Sequence, residues 1–156
     1  MHTLPYLSYT WLQLIDILPK PMPTDLKTIQ QIFQNSVKVT SHGSVVFYKV
    51  NSVRTTDNIV IDHIDIRSAY KNPDVINFIS LNLSEDQCVQ ADETQNKFNI
   101  HMPTDPIIPF HDDKLTQADL DNIPVYYQAK VEWGVFALSI KNKRPNCINS
   151  IVLRTF

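Results

Sequence analysis

Alternation of apolar and polar residues is the feature that most restricts the fold of this chain. From Val37 onward, apolar side chains recur at every second position and β-branched residues are abundant. Two sets of positions show the pattern well: Val46, Tyr48 and Val50, and then Val75, Ile79, Leu81 and Leu83. A period of two places such side chains on one face of a half-buried strand. Further strands are predicted at 97–102, 125–133, 135–140 and 147–154.

One strand carries a change of register. The apolar positions switch from Ile59 and Ile61 to Ile64 and Ile66. In a strand this switch requires an extra residue, since a shift by one position turns every side chain to the other face. The sequence therefore predicts a β-bulge or a break near Asp62 and His63.

Helical spacing is clearest just before the strand-rich part. Thr24 can cap a helix whose first turn contains Asp25, with apolar residues at helical spacing through Gln34: Leu26, Ile29, Ile32 and Phe33. A short capped turn of helix is expected at 116–121. The predicted fold class is therefore α+β, β-dominant, an antiparallel sheet or sandwich with one packed N-terminal helix.

The first 23 residues are predicted to form an N-terminal arm and a proline-rich spacer, with a single β-rich domain at 24–156. Three prolines at positions 19, 21 and 23 favour an extended connector. The arm carries apolar residues at Tyr6, Tyr9, Trp11 and Leu14. Such residues either pack on their own domain or insert into a neighbouring subunit. We predict self-association into a homo-oligomer through this arm. Its Tyr9–Leu12 segment also fits the short Tyr-x-x-Leu pattern.

Composition narrows the function classes. The 156 residues include only two glycines, so glycine-rich phosphate loops and dinucleotide fingerprints cannot be built. The formal net charge of −2 gives no strong overall attraction to nucleic acid. Cys88 and Cys147 lack the spacing of a zinc site or a redox pair, so two buried free thiols in a reducing compartment are expected. No cofactor is predicted.

A basic cluster near the C-terminus is the candidate membrane- or phosphate-binding site. Lys141, Lys143 and Arg144 lie between two predicted strands, where a turn would project them from the sheet. Such a turn can contact lipid head groups or phosphate oxygens. An ordinary solvated turn is the alternative.

Acidic and histidine residues raise the alternative of a small metal-dependent hydrolase or nuclease. Asp62, His63, Asp65 and His111 are the candidate ligands. Strand geometry instead favours a solvated face with an Asp65–Arg67 pair, and acids beside His111 favour the start of a helix. Motifs of covalent or zinc-dependent hydrolysis are absent from the sequence. We therefore predict no catalytic residues and no bound metal.

The segment 42–87 carries a family resemblance. It contains the run His42-Gly43-Ser44-Val45-Val46-Phe47-Tyr48, then Ser68, Tyr70-Lys71, Pro73, Phe78, Leu81 and Asp86-Gln87. In these residues the chain resembles the matrix proteins of bornavirus-type viruses, and it is similar to those of other mononegaviruses, such as nyamiviruses or plant rhabdoviruses. The resemblance covers less than a third of the chain.

The resemblance implies a non-enzymatic, β-rich matrix protein. Such a protein self-associates, contacts the membrane and the ribonucleoprotein or its RNA, and supports virion assembly and budding. The implied location is the virion and, in the host cell, the cytoplasm at the membrane, or the nucleus. These are expectations from the resemblance, and the residue patterns are compatible with them.

Overall fold

The computed structural model describes residues 4–34, 37–104 and 116–155. Strands and bridges make up 47% of the described residues, which contain one antiparallel sheet of nine strands with a few helices. This confirms the predicted fold class, α+β with β dominant, as a single sheet.

The elements follow one another from α1 to β9. In chain order they are α1 (Trp11–Ile17), α2 (Leu26–Phe33), β1 (Val37–Ser41), β2 (Phe47–Val50), β3 (Val53–Arg54), β4 (Val60–Ala69), β5 (Asn72–Leu83), α3 (Ala91–Phe98), β6 (Met102–Pro103), α4 (Gln117–Asn122), β7 (Pro124–Val131), β8 (Gly134–Lys141) and β9 (Arg144–Thr155). The order across the sheet is β1-β2-β4-β5-β9-β8-β7-β6, and β3 pairs with β4. Strands β5 and β9 therefore lie in the middle.

The hydrophobic core lies between one face of the sheet and the helices. A row of buried side chains crosses five neighbouring strands: Tyr48, Ile66, Ile79, Leu153 and Phe136. Helices α1 and α2 cover this face with residues that are at most 2% exposed: Trp11, Leu14, Ile15, Ile29 and Phe33. Burial of such apolar surface is the main stabilising term for a domain of this size.

The predicted bulge is present in β4. Ile61 pairs with Leu83, but the next pair is His63 with Asn82, which leaves Asp62 without a partner in the ladder. Asp62 is exposed, while the apolar residues on both sides of the bulge remain buried. One extra residue thus lets both apolar registers face the core.

Helix α2 confirms the predicted helix but begins one residue later than expected. Its N-cap is Asp25, whose carboxylate accepts a 2.8 Å hydrogen bond from the backbone N–H of Thr28. This bond lowers the pKa of Asp25. Thr24 instead exchanges two backbone hydrogen bonds, of 3.0 and 2.7 Å, with Ile76. Thr24 is therefore held as a bridge to β5, which is why it does not cap the helix.

Helices are more numerous than predicted, and the strand expected at 97–102 is wrong. Helix α3 extends through Phe98 and is capped by Asn99, whose φ of 57° is left-handed, and β6 begins only at Met102. Acids in its first turn and Lys97 in its last turn match the helix dipole. The other three late strands are confirmed as β7, β8 and β9. The short helix near 116–121 is confirmed as α4, capped by Thr116.

The described part of the N-terminal arm is not separate from the domain. Trp11 and Leu14, 2% and 0% exposed, belong to the core, so the expected boundary at residue 23 is wrong. The indole N–H of Trp11 donates a 3.2 Å hydrogen bond to the Thr94 hydroxyl in α3. The proline segment turns instead of extending, with a 3.1 Å bond from Met22 N–H to the Pro19 carbonyl. The turn folds α1 back onto the sheet.

The expected free thiols are also wrong, because Cys88 and Cys147 form a disulfide. Their sequence separation is 59 residues, but a bridge between Gln90 and Cys147 brings the two segments together, with 4.9 Å between the cysteine Cα atoms. Cys88 is exposed. Sequence spacing gave no sign of this pairing, since it depends on which strand lies beside residues 88–90.

We expect Gly134→Ala to lower the free energy of unfolding by about 1–3 kcal/mol, the usual effect of overpacking. A methyl group at Gly134 would meet the carbonyl oxygen of Arg154 and lie 2.7 Å from the Cα of Thr155. Gly43→Ala is the matched control, because its new methyl group would lie 3.8 Å from the Val45 oxygen. Urea denaturation measures the free energy of unfolding of both variants. Equal stability of the two variants would contradict the close approach of β8 and β9.

Candidate functional groove

The second face of the sheet, opposite the helices, carries a distinctive group of outward-facing side chains. Arg67 on β4, Phe78 on β5 and Arg154 on β9 are directly opposite one another across neighbouring strands. They alternate with core residues along each strand, which is why they point away from the helices. The row thus presents two guanidinium groups with an aromatic ring between them.

The next row makes this face concave. Ser80, Val152 and Ala137 are aligned on the central strands β5, β9 and β8. Small side chains in the middle leave a depression between larger neighbours. The resulting groove has a volume of about 530 Å³. Its lining residues are Asp65, Arg67, Phe78, Ser80, Thr104, Tyr126, Gln128, Val135, Ala137, Val152 and Arg154.

Neither guanidinium group of the groove forms an ion pair with Asp65, the acid among its lining residues. The Arg67 guanidinium lies 4.3 Å from the ring centre of Phe78 and 5.3 Å from that of Phe47. Such stacking orients a guanidinium and leaves its N–H groups free to donate. Across residues 4–34, 37–104 and 116–155, neither Arg67 nor Arg154 forms a salt bridge. The groove can therefore attract an anion.

Asp65 is the acid of the groove, and its partners differ from the prediction. Its carboxylate lies 3.3 Å from His63 Nε2 and accepts a 3.3 Å hydrogen bond from the Asn82 amide. The expected Asp65–Arg67 pair is therefore wrong, because Arg67 stacks on the neighbouring rings instead. Among the described residues, no three His, Cys, Asp or Glu side chains are close enough to hold a metal ion. His111 and the acids beside it lie outside the described residues.

The predicted basic site forms the tight turn between β8 and β9. Lys141 Nζ lies 2.6 Å from Glu85 Oε1, and Lys143 Nζ lies 3.6 Å from Glu85 Oε2. Arg144 donates to the backbone carbonyl of Gln87. The three residues are thus brought together as expected, but they face the segment that follows β5.

The neighbouring cations lower the pKa of Glu85. The hydrogen bond from Lys141, followed by the charges of Lys141 and Lys143, lowers the pKa of Glu85. A lowered carboxyl pKa keeps the ion pairs formed at neutral pH, and they are lost only as the pH falls through that lowered value. Below we call Lys141, Lys143 and Arg144 the basic hairpin.

The residues predicted for oligomerisation are separated by the fold. Trp11 and Leu14 are buried, Tyr9 is half-buried and Tyr6 is 53% exposed. The Tyr6 ring lies 4.2 Å from the Arg54 guanidinium, and its hydroxyl donates to Asn58 at 2.8 Å. The Tyr9–Leu12 segment includes the start of α1, and its residues are half-buried except Trp11, which is buried. Of the predicted set, only Tyr6 presents most of its side chain to a partner.

Comparison with protein-family models, curated proteins and solved structures finds no match for this chain. In the described part of the chain, no helix has the length and apolar character needed to cross a membrane.

Sequence reasoning missed the groove. A partial signal was present, because Arg67 and Arg154 each follow a core residue of a strand, Ile66 and Leu153. That alternation indicates an outward-facing arginine but not its neighbours. The pairing of β5 with both β4 and β9 is what brings the two arginines together, and it could not be obtained from local patterns.

Proposed function

We propose that the protein is a non-enzymatic structural protein of viral matrix type, which self-associates, binds the RNA of a ribonucleoprotein in the groove and contacts an anionic membrane. The observation that carries the proposal is the row formed by Arg67, Phe78 and Arg154. The family resemblance also supports the proposal, since Phe78 lies within the segment 42–87 that resembles matrix proteins.

The chemistry of the groove suits single-stranded RNA. Unpaired bases stack on aromatic rings and on guanidinium planes, while phosphate oxygens accept hydrogen bonds from arginine. Arg67 and Arg154 lie two strand spacings apart, or about 10 Å between backbones. Phe78 and Tyr126 provide aromatic surface in the same groove. A groove on a single sheet face binds an extended strand without needing duplex geometry.

The RNA contact is tested by fluorescence anisotropy with a labelled single strand across a salt series. Two phosphate contacts give a slope of log K against log salt of about −1.4, at about 0.7 for each contact with a single strand. A DNA duplex of equal length is the control. Equal affinity for the duplex, or binding that is indifferent to salt, would contradict the proposal.

Self-association is assigned to the outer edge of the sheet. Strand β1 ends the strand order and leaves Val39 46% exposed. An open strand edge can pair with another chain, and a second lysine on it, beside Lys38, would disfavour such pairing. We expect the wild type to form oligomers by light scattering and Val39→Lys to form smaller species.

The matched control for the edge is Leu120→Lys on α4, where the apolar side chain is 37% exposed. This variant should keep the oligomer of the wild type. Tyr6→Ala tests the remaining exposed residue of the N-terminal segment and should also keep it. A monomeric wild type at high concentration would contradict self-association, and an unchanged Val39→Lys oligomer would contradict the use of β1.

A further inference from the structure

The basic hairpin is covered by one short segment of the chain. Residues 84–90 connect β5 to α3 and contain no helix or strand of their own. In this segment the Glu85 carboxylate contacts both lysines, and the Gln87 backbone carbonyl accepts a hydrogen bond from Arg144. The cations are therefore engaged within the chain only as long as residues 84–90 remain in place.

The same segment is tied to β9 by the disulfide. Cys88 is three residues after Glu85, and its partner Cys147 is three residues after Arg144. The noncovalent ties include bonds of 2.9 and 2.6 Å between Gln87 and the Val60 backbone, a 3.2 Å bond from Ser84 N–H to the Val60 carbonyl, and a 2.9 Å bond from Ile148 N–H to the Val89 carbonyl. Cys88 is exposed, so a thiol can reach its sulfur.

We propose that the Cys88–Cys147 disulfide is a clasp that keeps Glu85 against the basic hairpin, and that its reduction uncovers a binding surface for anionic lipid. In that step a dithiol reductant supplies two electrons, the Cys88–Cys147 bond breaks, both sulfurs become thiols and the reductant becomes a disulfide. With the clasp open, residues 84–90 are held by noncovalent contacts alone, and Glu85 separates from the lysines more readily.

The chemistry of the hairpin points to a membrane. Its two ammonium groups act as point charges, and a bilayer containing anionic lipid attracts such groups without a shaped pocket. The negative charge of Glu85 offsets about one positive charge of the hairpin and so weakens this attraction. The inference rests on the membrane contact of the proposed function and is independent of RNA binding in the groove.

The test is co-sedimentation with vesicles of phosphatidylcholine and phosphatidylserine in equal parts, using oxidised and reduced wild type. We expect reduction to raise the partition coefficient about fivefold, the effect of one net charge near an anionic bilayer. Glu85→Gln should give the same gain with the disulfide intact. The triple variant Lys141→Ala, Lys143→Ala, Arg144→Ala should show no gain on reduction.

The other possible results would overturn different parts of the proposal. No binding by either redox form, nor by Glu85→Gln, would overturn the membrane contact together with the clasp. Binding that is equal in both forms would overturn the clasp alone, and so would a gain that persists in the triple alanine variant. The Glu85→Gln arm needs no change at the cysteines, so the test does not depend on a cysteine variant folding. Pure phosphatidylcholine vesicles should bind none of the proteins.

Discussion

Leu14→Ala is expected to lower the free energy of unfolding by about 2–5 kcal/mol, the cost of removing a fully buried leucine side chain. Leu14 in α1 is 0% exposed and belongs to the same core cluster as the buried residues of the sheet. Domains of this size have a total stability of about 5–15 kcal/mol, so the loss is a large fraction of it. Urea denaturation followed by circular dichroism measures the change.

Leu12→Ala is the matched control, because it makes the same chemical change two residues away in the same helix. Leu12 is half-buried, so its replacement should cost clearly less. The comparison tests whether α1 belongs to the domain. If both variants keep wild-type stability and the oligomer dissociates, α1 is an arm for subunit contact after all. If α1 is part of the core, deletion of residues before Thr24 should unfold the protein instead of releasing smaller folded species.

The second large effect is expected in the groove. Arg67→Gln together with Arg154→Gln should weaken single-stranded RNA binding by about 10- to 100-fold, or about 1.4–2.8 kcal/mol. Hydrogen bonds that involve a charged group contribute about 1.5–3 kcal/mol each, and solvent at this open face reduces that range. The slope of log K against log salt should also become shallower by about 1.4. Both side chains are exposed, so the fold should not be affected.

Lys141→Gln together with Lys143→Gln is the charge-matched control for this experiment. It removes the same number of positive charges, but from residues that already contact Glu85. RNA affinity should therefore change by less than about twofold, as expected for screened charges away from the site. An equal loss in the two double variants would mean that net charge drives binding and that the groove has no special role.

Local pattern was sufficient for those parts of the fold that depend on neighbouring residues. The alternation around Val46 and Tyr48 predicted β2, and the change of apolar register predicted the bulge at Asp62. Both follow from the period of two, which does not depend on the partner strand. Helix α3 was missed because few of its residues are apolar, and only Ala91 and Thr94 are buried. A weak amphipathic signal cannot distinguish such a helix from a loop.

Long-range contacts account for the features of the fold that the sequence did not predict. Trp11 is buried because it reaches Thr94, which lies 83 residues away, so its apolar neighbours looked like an exposed arm in the sequence. The partner of Lys141 is Glu85, at a separation of 56 residues. The disulfide likewise joins distant residues. In each case the tertiary arrangement determines which residues meet, and no local propensity encodes that arrangement.

The central claim, that RNA binds in the groove, is tested most directly by nuclear magnetic resonance of the labelled protein during titration with single-stranded RNA. The account predicts that the largest backbone shifts occur around Arg67, Phe78 and Arg154, with small shifts at the basic hairpin. Shifts that are largest at the hairpin, or that show no cluster on the second face of the sheet, would contradict it.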